Sequence, residues 1–129
     1  MKTVEIGRIG EKYAEKHLKR SGYKIVDKNV HASHNEIDII ARNKEFIVFV
    51  EVKARSVDIG LEFDYVSPAS AVTEGKQQRT IRAAKAYLLN GKYCGLQPRF
   101  DVIEVYLDKK DKKMIKINHI ENAFGIVRK

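Results

Sequence analysis

Asp38, Glu51 and Lys53 have side chains and a spacing suited to holding a divalent cation against a phosphate. Hard cations of the Mg²⁺ type take oxygen ligands, commonly one or two carboxylates, and complete their octahedron with water and substrate phosphate. A lysine beside such a pair can stabilise the charge that develops at a phosphodiester under attack, or hold the attacking hydroxide. Glu-x-Lys by itself is common, and most examples are solvated strand ends or weak ion pairs. Its meaning here depends on whether Asp38 is brought opposite Glu51.

The elements that carry these residues are two strands, Glu36 to Arg42 and Phe46 to Lys53, around the polar turn Asn43-Lys44-Glu45. Successive strand residues point to opposite faces. Ile37, Ile39, Ala41, Phe46, Val48, Val50 and Val52 then share one wholly apolar face, which must be buried. Glu36, Asp38, Ile40 and Arg42 face the other way, together with Ile47, Phe49, Glu51 and Lys53. That second face is apolar near the turn and charged at its far end, so it should be partly covered, with the charged end left open. A two-residue turn at Lys44-Glu45 keeps the apolar face intact and sets Asp38 opposite Glu51, where paired Cβ atoms lie about 4.5–5.5 Å apart. A three-residue loop would put the acids on opposite faces. Two acids that close repel, so at least one pKa should rise unless a cation is present.

Further groups can reach this end. A helix from about Ile6 to Lys19, stopped by Ser21-Gly22, carries Ala14 and Leu18 on its apolar side, with Ile6, Tyr13 and His17 beside them. Glu11, three residues before Ala14, lies on that core-facing side, either as a further cation ligand or as an acid favoured by the helix N-terminus. A second helix, Glu74 to Asn90, has Thr73 as N-cap and Gly91 as its stop. Gln77 shares a stripe with Ile81, Ala84 and Leu88, as a group orienting water or phosphate or as the stripe's polar edge. Lys76, Arg79, Arg82 and Lys85 form a basic edge on the same helix, read as phosphate contacts or as a solvated face. Arg55 follows the hairpin closely enough to touch phosphate too.

Tyr23 to Val30, Phe100 to Leu107 and Met114 to His119 read as strands, the last two joined by the charged turn Asp108 to Lys113. The order is α-β-β-β-α-β-β. Ser56 to Thr73, with Gly60 and Pro68, is the least regular stretch, of a length usually reserved for functional or disordered loops. A chain of 129 residues with 43% hydrophobic content fits a single domain spanning 1–129. The one Cys, Cys94, excludes an internal disulfide and cannot build a structural zinc site. His17, His31, His34 and His119 show no metal-ligand spacing, and Arg99 and Asp101 read as a structural pair. No signal-peptide or membrane-spanning run is present, so a cytoplasmic location and no membrane partner are expected. The net charge of +8 suits a polyanion such as nucleic acid or an anionic membrane surface, or serves solubility alone.

Asp38, a twelve-residue gap and Glu51-Val52-Lys53 resemble the PD-(D/E)xK nuclease signature. Gly7-Arg8-Ile9-Gly10-Glu11, Glu36-Ile37-Asp38, Phe49-Val50-Glu51-Val52-Lys53, Lys76-Gln77 and Arg99-Phe100-Asp101-Val102 resemble, in that order, the YraN-like family of small bacterial proteins. The match continues to Asn122-Ala123-Phe124. Asn35 stands where that family usually has Gly, and no Pro precedes Asp38, although one is common in the superfamily. The resemblance implies a restriction-endonuclease-like α/β fold, a mixed central sheet flanked by helices, with kinship to archaeal Holliday junction resolvases. It implies a site made of Glu11, Asp38, Glu51 and Lys53, with Mg²⁺ or Mn²⁺ on the three acids. The expected activity is metal-dependent endonucleolytic cleavage of nucleic acid, with DNA, branched or not, as the expected substrate. A homodimer is in keeping with resolvases, which cut two strands symmetrically. The alternative is a binding module that retains the nuclease fold without catalysis.

Overall fold

The structure is a computed structural model and describes residues 3–58 and 72–125. The elements run α1 (Thr3–Arg20), β1 (Lys24–Ala32), β2 (Asn35–Arg42), β3 (Phe46–Val57), α2 (Glu74–Leu88), β4 (Gln97–Asp108) and β5 (Met114–Phe124). The five strands form one mixed sheet in sequential order, antiparallel except for the parallel β3–β4 pair. A parallel pair needs a long crossover, and α2 lies within it. This is the α/β arrangement and element order that the sequence predicts. The sequence-predicted loop residues Gly60 and Pro68 lie outside the described residues.

The two helices cover opposite faces. Under α1, Ala14, Leu18 and Tyr23 pack on Ile39, Ala41, Val48, Val50, Ile103, Val105 and Leu107. Under α2, Ile81, Ala83, Ala84 and Tyr93 pack on Ile37, Ile40, Ile47, Phe49 and Phe100. The apolar half of the charged hairpin face is therefore covered by α2. Helix α1 ends in a Schellman motif: Gly22 takes φ 93°, Tyr23 N–H bonds to Leu18 C=O at 2.9 Å and Gly22 N–H to Lys19 C=O at 3.2 Å. Leu18 and Tyr23, thus brought together, both enter the core. Thr73 caps α2 as expected, its hydroxyl accepting from Lys76 N–H at 3.1 Å.

The hairpin turn has the expected two residues. Arg42 pairs with Ile47, Asn43 N–H bonds to Phe46 C=O, and the Asn43 side chain accepts from Glu45 and Phe46 N–H at 2.9 and 2.7 Å. One expectation fails. Ile37 does not share the face of Ile39 and Ala41 but packs in the α2-side cluster. Strict alternation requires continuous pairing, and β2 leaves β3 beyond Ile39↔Val50. Across from that stretch, β1 carries Asn29 at φ 51°. Strands β3, β4 and β5 also run beyond their expected ends, because pairing with their neighbours continues through polar residues that carry no apolar alternation.

Helix α1 approaches β3 very closely. A Cβ at Gly10 would stand 2.5 Å from the Ala54 Cβ, so only glycine allows this contact. Gly10→Ala is expected to cost about 1–3 kcal/mol, as overpacking does. Urea denaturation checks it, and Ala54→Gly in the same chain should restore most of the loss.

Candidate active site

The splay between β2 and β3 builds the site. Continuing the register of Ile39↔Val50 and Ile40↔Phe49 would pair Asp38 with Glu51, but backbone pairing stops one residue short. The Asp38 side chain takes the place of the missing partner, its Oδ2 accepting from Val52 N–H at 2.8 Å. Burial and the negative charges of Glu51, Glu11 and Glu36 push its carboxyl up to about 7, against the lowering effect of the Val52 hydrogen bond. Burial is the larger cause of this rise, and the repulsion expected between close acids adds to it.

Glu51 and Lys53 project toward α2. Glu51 Oε2 lies 3.3 Å from Lys53 Nζ, and its Oε1 lies 3.6 Å from Lys76 Nζ. Lys76 is therefore the member of the α2 basic edge that reaches the acids, whereas Arg79, Arg82 and Lys85 are exposed. Gln77 is half-buried, and its amide donates to Val72 C=O at 2.9 Å, serving the entry to α2. Arg55 lies on the same strand face as Glu51 and Lys53, paired in the ladder with Tyr106.

Glu11 comes from the other face. It is half-buried and its carboxyl is raised, first by burial and then by Glu36, while a hydrogen bond to Asn29 and the charges of Lys28 and Arg8 pull it down. Its charge is felt at Asp38. Asp38 thus lies near enough to Glu51 and Glu11 to feel their charges, and Lys53 pairs with Glu51. Among the described residues no three His, Cys, Asp or Glu side chains form a ready-made metal cage. What remains is a pair of strand carboxylates with a more distant third. Two carboxylates plus water is a donor set that Mg²⁺ accepts, and the Asp38 carboxyl, raised first by burial and then by Glu51, Glu11 and Glu36, is one whose ionised form a cation would favour.

Asp38 has a consequence for stability. Between about 3.8 and about 7 the folded chain keeps a proton that the unfolded chain releases. Stability therefore falls as pH rises through that window, and the penalty is complete above it. Asp38→Asn keeps an acceptor for Val52 N–H and removes the charge. It is expected to be more stable than wild type at pH 8 by about 2–4 kcal/mol, and close to it near pH 4. Thermal unfolding at both pH values checks this.

Two groups of polar residues lie outside the expected site. The first is a network on the α1 face. Arg99 donates to both oxygens of the fully buried Asp101 at 2.9 and 2.8 Å and also bonds to the Tyr23 hydroxyl. Asp101 further bonds His119 Nε2 at 2.7 Å and accepts from Asn122 N–H at 2.9 Å, and His119 Nδ1 lies 3.0 Å from His17 Nε2. Burial alone would raise Asp101, but His119, Arg99 and the Asn122 amide hold it below the usual range. Arg99 and Asp101 form the structural pair expected, and the two histidines that join them are separated by 102 positions in sequence. The second is Glu104, 1% exposed, which lies beside Lys53 across the β3–β4 ladder and accepts from Asn118 at 3.0 Å. An acid in the middle of the apolar run Phe100 to Leu107 was the available signal for Glu104.

The sequence profile of the uncharacterised protein family UPF0102 matches residues 10–105. A UPF0102 protein of Caldanaerobacter subterraneus is 46% identical over 120 residues, covering 92% of this chain and 93% of the relative. Those of Syntrophotalea carbinolica and Clostridium acetobutylicum are 39% identical over 123 residues and 42% over 120. They cover 95% and 93% of this chain, and 94% and 93% of the relatives. The matched stretch contains Glu11, Asp38, Glu51, Lys53 and the Arg99–Asp101 pair, and the chain belongs to the UPF0102 family, the YraN-like family that its motifs resemble.

Proposed function

We propose that this protein is a metal-dependent endonuclease of the PD-(D/E)xK type, acting on DNA with Mg²⁺ or Mn²⁺. The observation that carries the reading is the juxtaposition at the β2–β3 splay: Asp38 raised to about 7 beside Glu51, with Lys53 Nζ 3.3 Å from Glu51. A pure binding module has no use for crowded carboxylates where phosphate must approach.

Asp38 and Glu51 would hold the cation, with Glu11 assisting from α1. The bound cation supplies Lewis-acid polarisation of the phosphate and acidifies water. Val52 N–H holds the Asp38 carboxyl in place through Oδ2, and the carboxylate would keep lone pairs to offer a cation. Lys53 and Lys76 share Glu51 while the acids lack a cation. Once Glu51 is engaged, Lys53 can turn to the nucleophile or the charged phosphate, and Lys76 to a neighbouring phosphate. Attack by water would form a P–O bond to the incoming oxygen and break the bond to the leaving strand oxygen, with the proton given up by the water passing through solvent to that leaving oxygen. Arg55, Arg79 and Arg82 would contact the backbone, with Gln77 holding the turn into α2.

Linear, supercoiled and four-way-junction DNA, incubated with Mg²⁺, Mn²⁺ or chelator, test the reading. Cutting that needs the cation is expected. Salt-sensitive binding with no cutting on any substrate would favour the non-catalytic module.

A further inference from the structure

We propose that the outward face of α1 is a second phosphate-tracking surface, separate from the basic edge of α2 and on the opposite side of the sheet. It rests on the reading that the partner is nucleic acid. Arg8, Lys12, Lys16, Lys19 and Arg20 are all exposed. At 3.6 residues per turn they fall within an arc of about 120° that is turned away from Ala14 and Leu18. The stripe extends over about 18 Å from Arg8 to Arg20, at 1.5 Å per residue.

The local acids leave this stripe positive. Glu11 is drawn inward toward Asn29. Glu15 sits at the side of the helix, bonded to Lys19 at 3.3 Å and to Lys28 of β1 at 3.4 Å. Lys12 and Lys16 enter no ion pair among the described residues. Glu5 is the one acid within the arc, at the helix's first turn.

The first residue of the stripe is tied to the acids, since the Arg8 charge acts on Glu11, and the core-facing side of the same helical turn reaches the site through Gly7. Gly7 lines a cavity of about 350 Å³ together with Val52, Lys53, Ala54 and Arg55. The close Gly10–Ala54 contact fixes α1 over that end of β3. Cations thus lie on both sides of the acids: Lys76 against Glu51 from α2, and Arg8, whose charge acts on Glu11, at the head of the α1 stripe that continues through Lys12 and Lys16. Lysines scattered for solubility have no reason to gather in one arc of one helix while the neighbouring acids are drawn to its sides.

Neutralising phosphates releases counterions, so log K falls with log salt with a slope of about −0.9 per phosphate contacted on duplex DNA. The test measures binding of a labelled duplex by fluorescence anisotropy across a salt series. The samples are wild type, the Lys12→Gln/Lys16→Gln double variant, and a charge-matched control, Lys44→Gln/Lys92→Gln. The control positions are exposed and lie in turns outside α1, Lys44 past its C-terminal end beside Gly22 and Lys92 ahead of β4. The α1 variant is expected to show a slope shallower by about 1.8, and the control an unchanged slope. Equal slopes for the α1 variant and wild type overturn the proposal. An equal loss in both variants overturns it as well, because net charge alone then explains the binding. Failure of the nuclease reading is a different result, binding without metal-dependent cutting. Wild type that binds no duplex removes the surface along with the site.

Discussion

Glu51→Gln and Lys53→Ala are each expected to lower metal-dependent cleavage by at least about a hundredfold while leaving the fold intact. Glu51 is only partly exposed, and its carboxylate is the one contacted by both Lys53 and Lys76. The amide keeps the shape of the side chain but takes away the anionic ligand that a hard cation prefers. Lys53→Ala removes the cation that, in the proposed reaction, would face the developing negative charge, and losing one preorganised group of that kind costs about 10²–10³ in rate. The two variants differ in metal response. Raising the cation concentration should recover part of the Glu51→Gln loss, since the defect is in metal affinity, and none of the Lys53→Ala loss. Single-turnover cleavage at several Mg²⁺ concentrations measures both.

The largest expected effect on stability belongs to Asp101→Ala. Asp101 is fully buried and receives bonds from Arg99, His119 and Asn122. Removing it leaves the guanidinium of Arg99, itself 8% exposed, with only the Tyr23 hydroxyl and the exposed Glu121 at 3.9 Å as polar partners among the described residues. Breaking a buried pair from one side costs about 3–5 kcal/mol, a large share of the 5–15 kcal/mol typical of whole domains. Urea denaturation should show a midpoint lowered in proportion, or a chain that no longer folds. The same network makes the fold sensitive to acid. Burial, with His119 beside it, holds His17 below the ordinary histidine range, so below pH 6.5 the unfolded chain binds the proton first and stability falls with pH. Asp101, also held low, adds a second loss below 3.8 as its own carboxylate finally protonates. Asp38 has the opposite sign, losing stability as pH rises.

The parts of this arrangement that rest on local pattern were legible in the sequence. Alternation along Glu36–Arg42 and Phe46–Lys53 fixed both the two-residue turn and the register that brings Asp38 toward Glu51. Thr73 and Gly22 marked helix ends through capping chemistry that acts within a few residues. The splay at Asp38 was not legible, because it arises when a side chain replaces a backbone partner at Val52, and alternation cannot signal that. Ile37 changed faces for the same reason. His17 and His119 each look unremarkable alone, and their contact exists only because α1 is laid across β4 and β5. Glu104 shows as an acid in an apolar run, but its place beside Lys53 needs the parallel β3–β4 register, which is set through a crossover and not by a turn. The basic stripe of α1 is present in the spacing of Arg8, Lys12 and Lys16, yet its relation to the site appears only once Gly10 is placed on Ala54.

The central claim is that the carboxylates at the β2–β3 splay form a cation site, and the titration of Asp38 tests it most directly. Carbon-13 carboxyl chemical shifts followed against pH, without and with millimolar Mg²⁺, report the midpoint of that one group. Without cation the midpoint should lie near 7. With Mg²⁺ it should fall by two units or more, as the bound ion favours the ionised form, and Glu51→Gln should blunt that fall. An Asp38 midpoint near 7 that Mg²⁺ and Mn²⁺ leave unmoved would contradict the account.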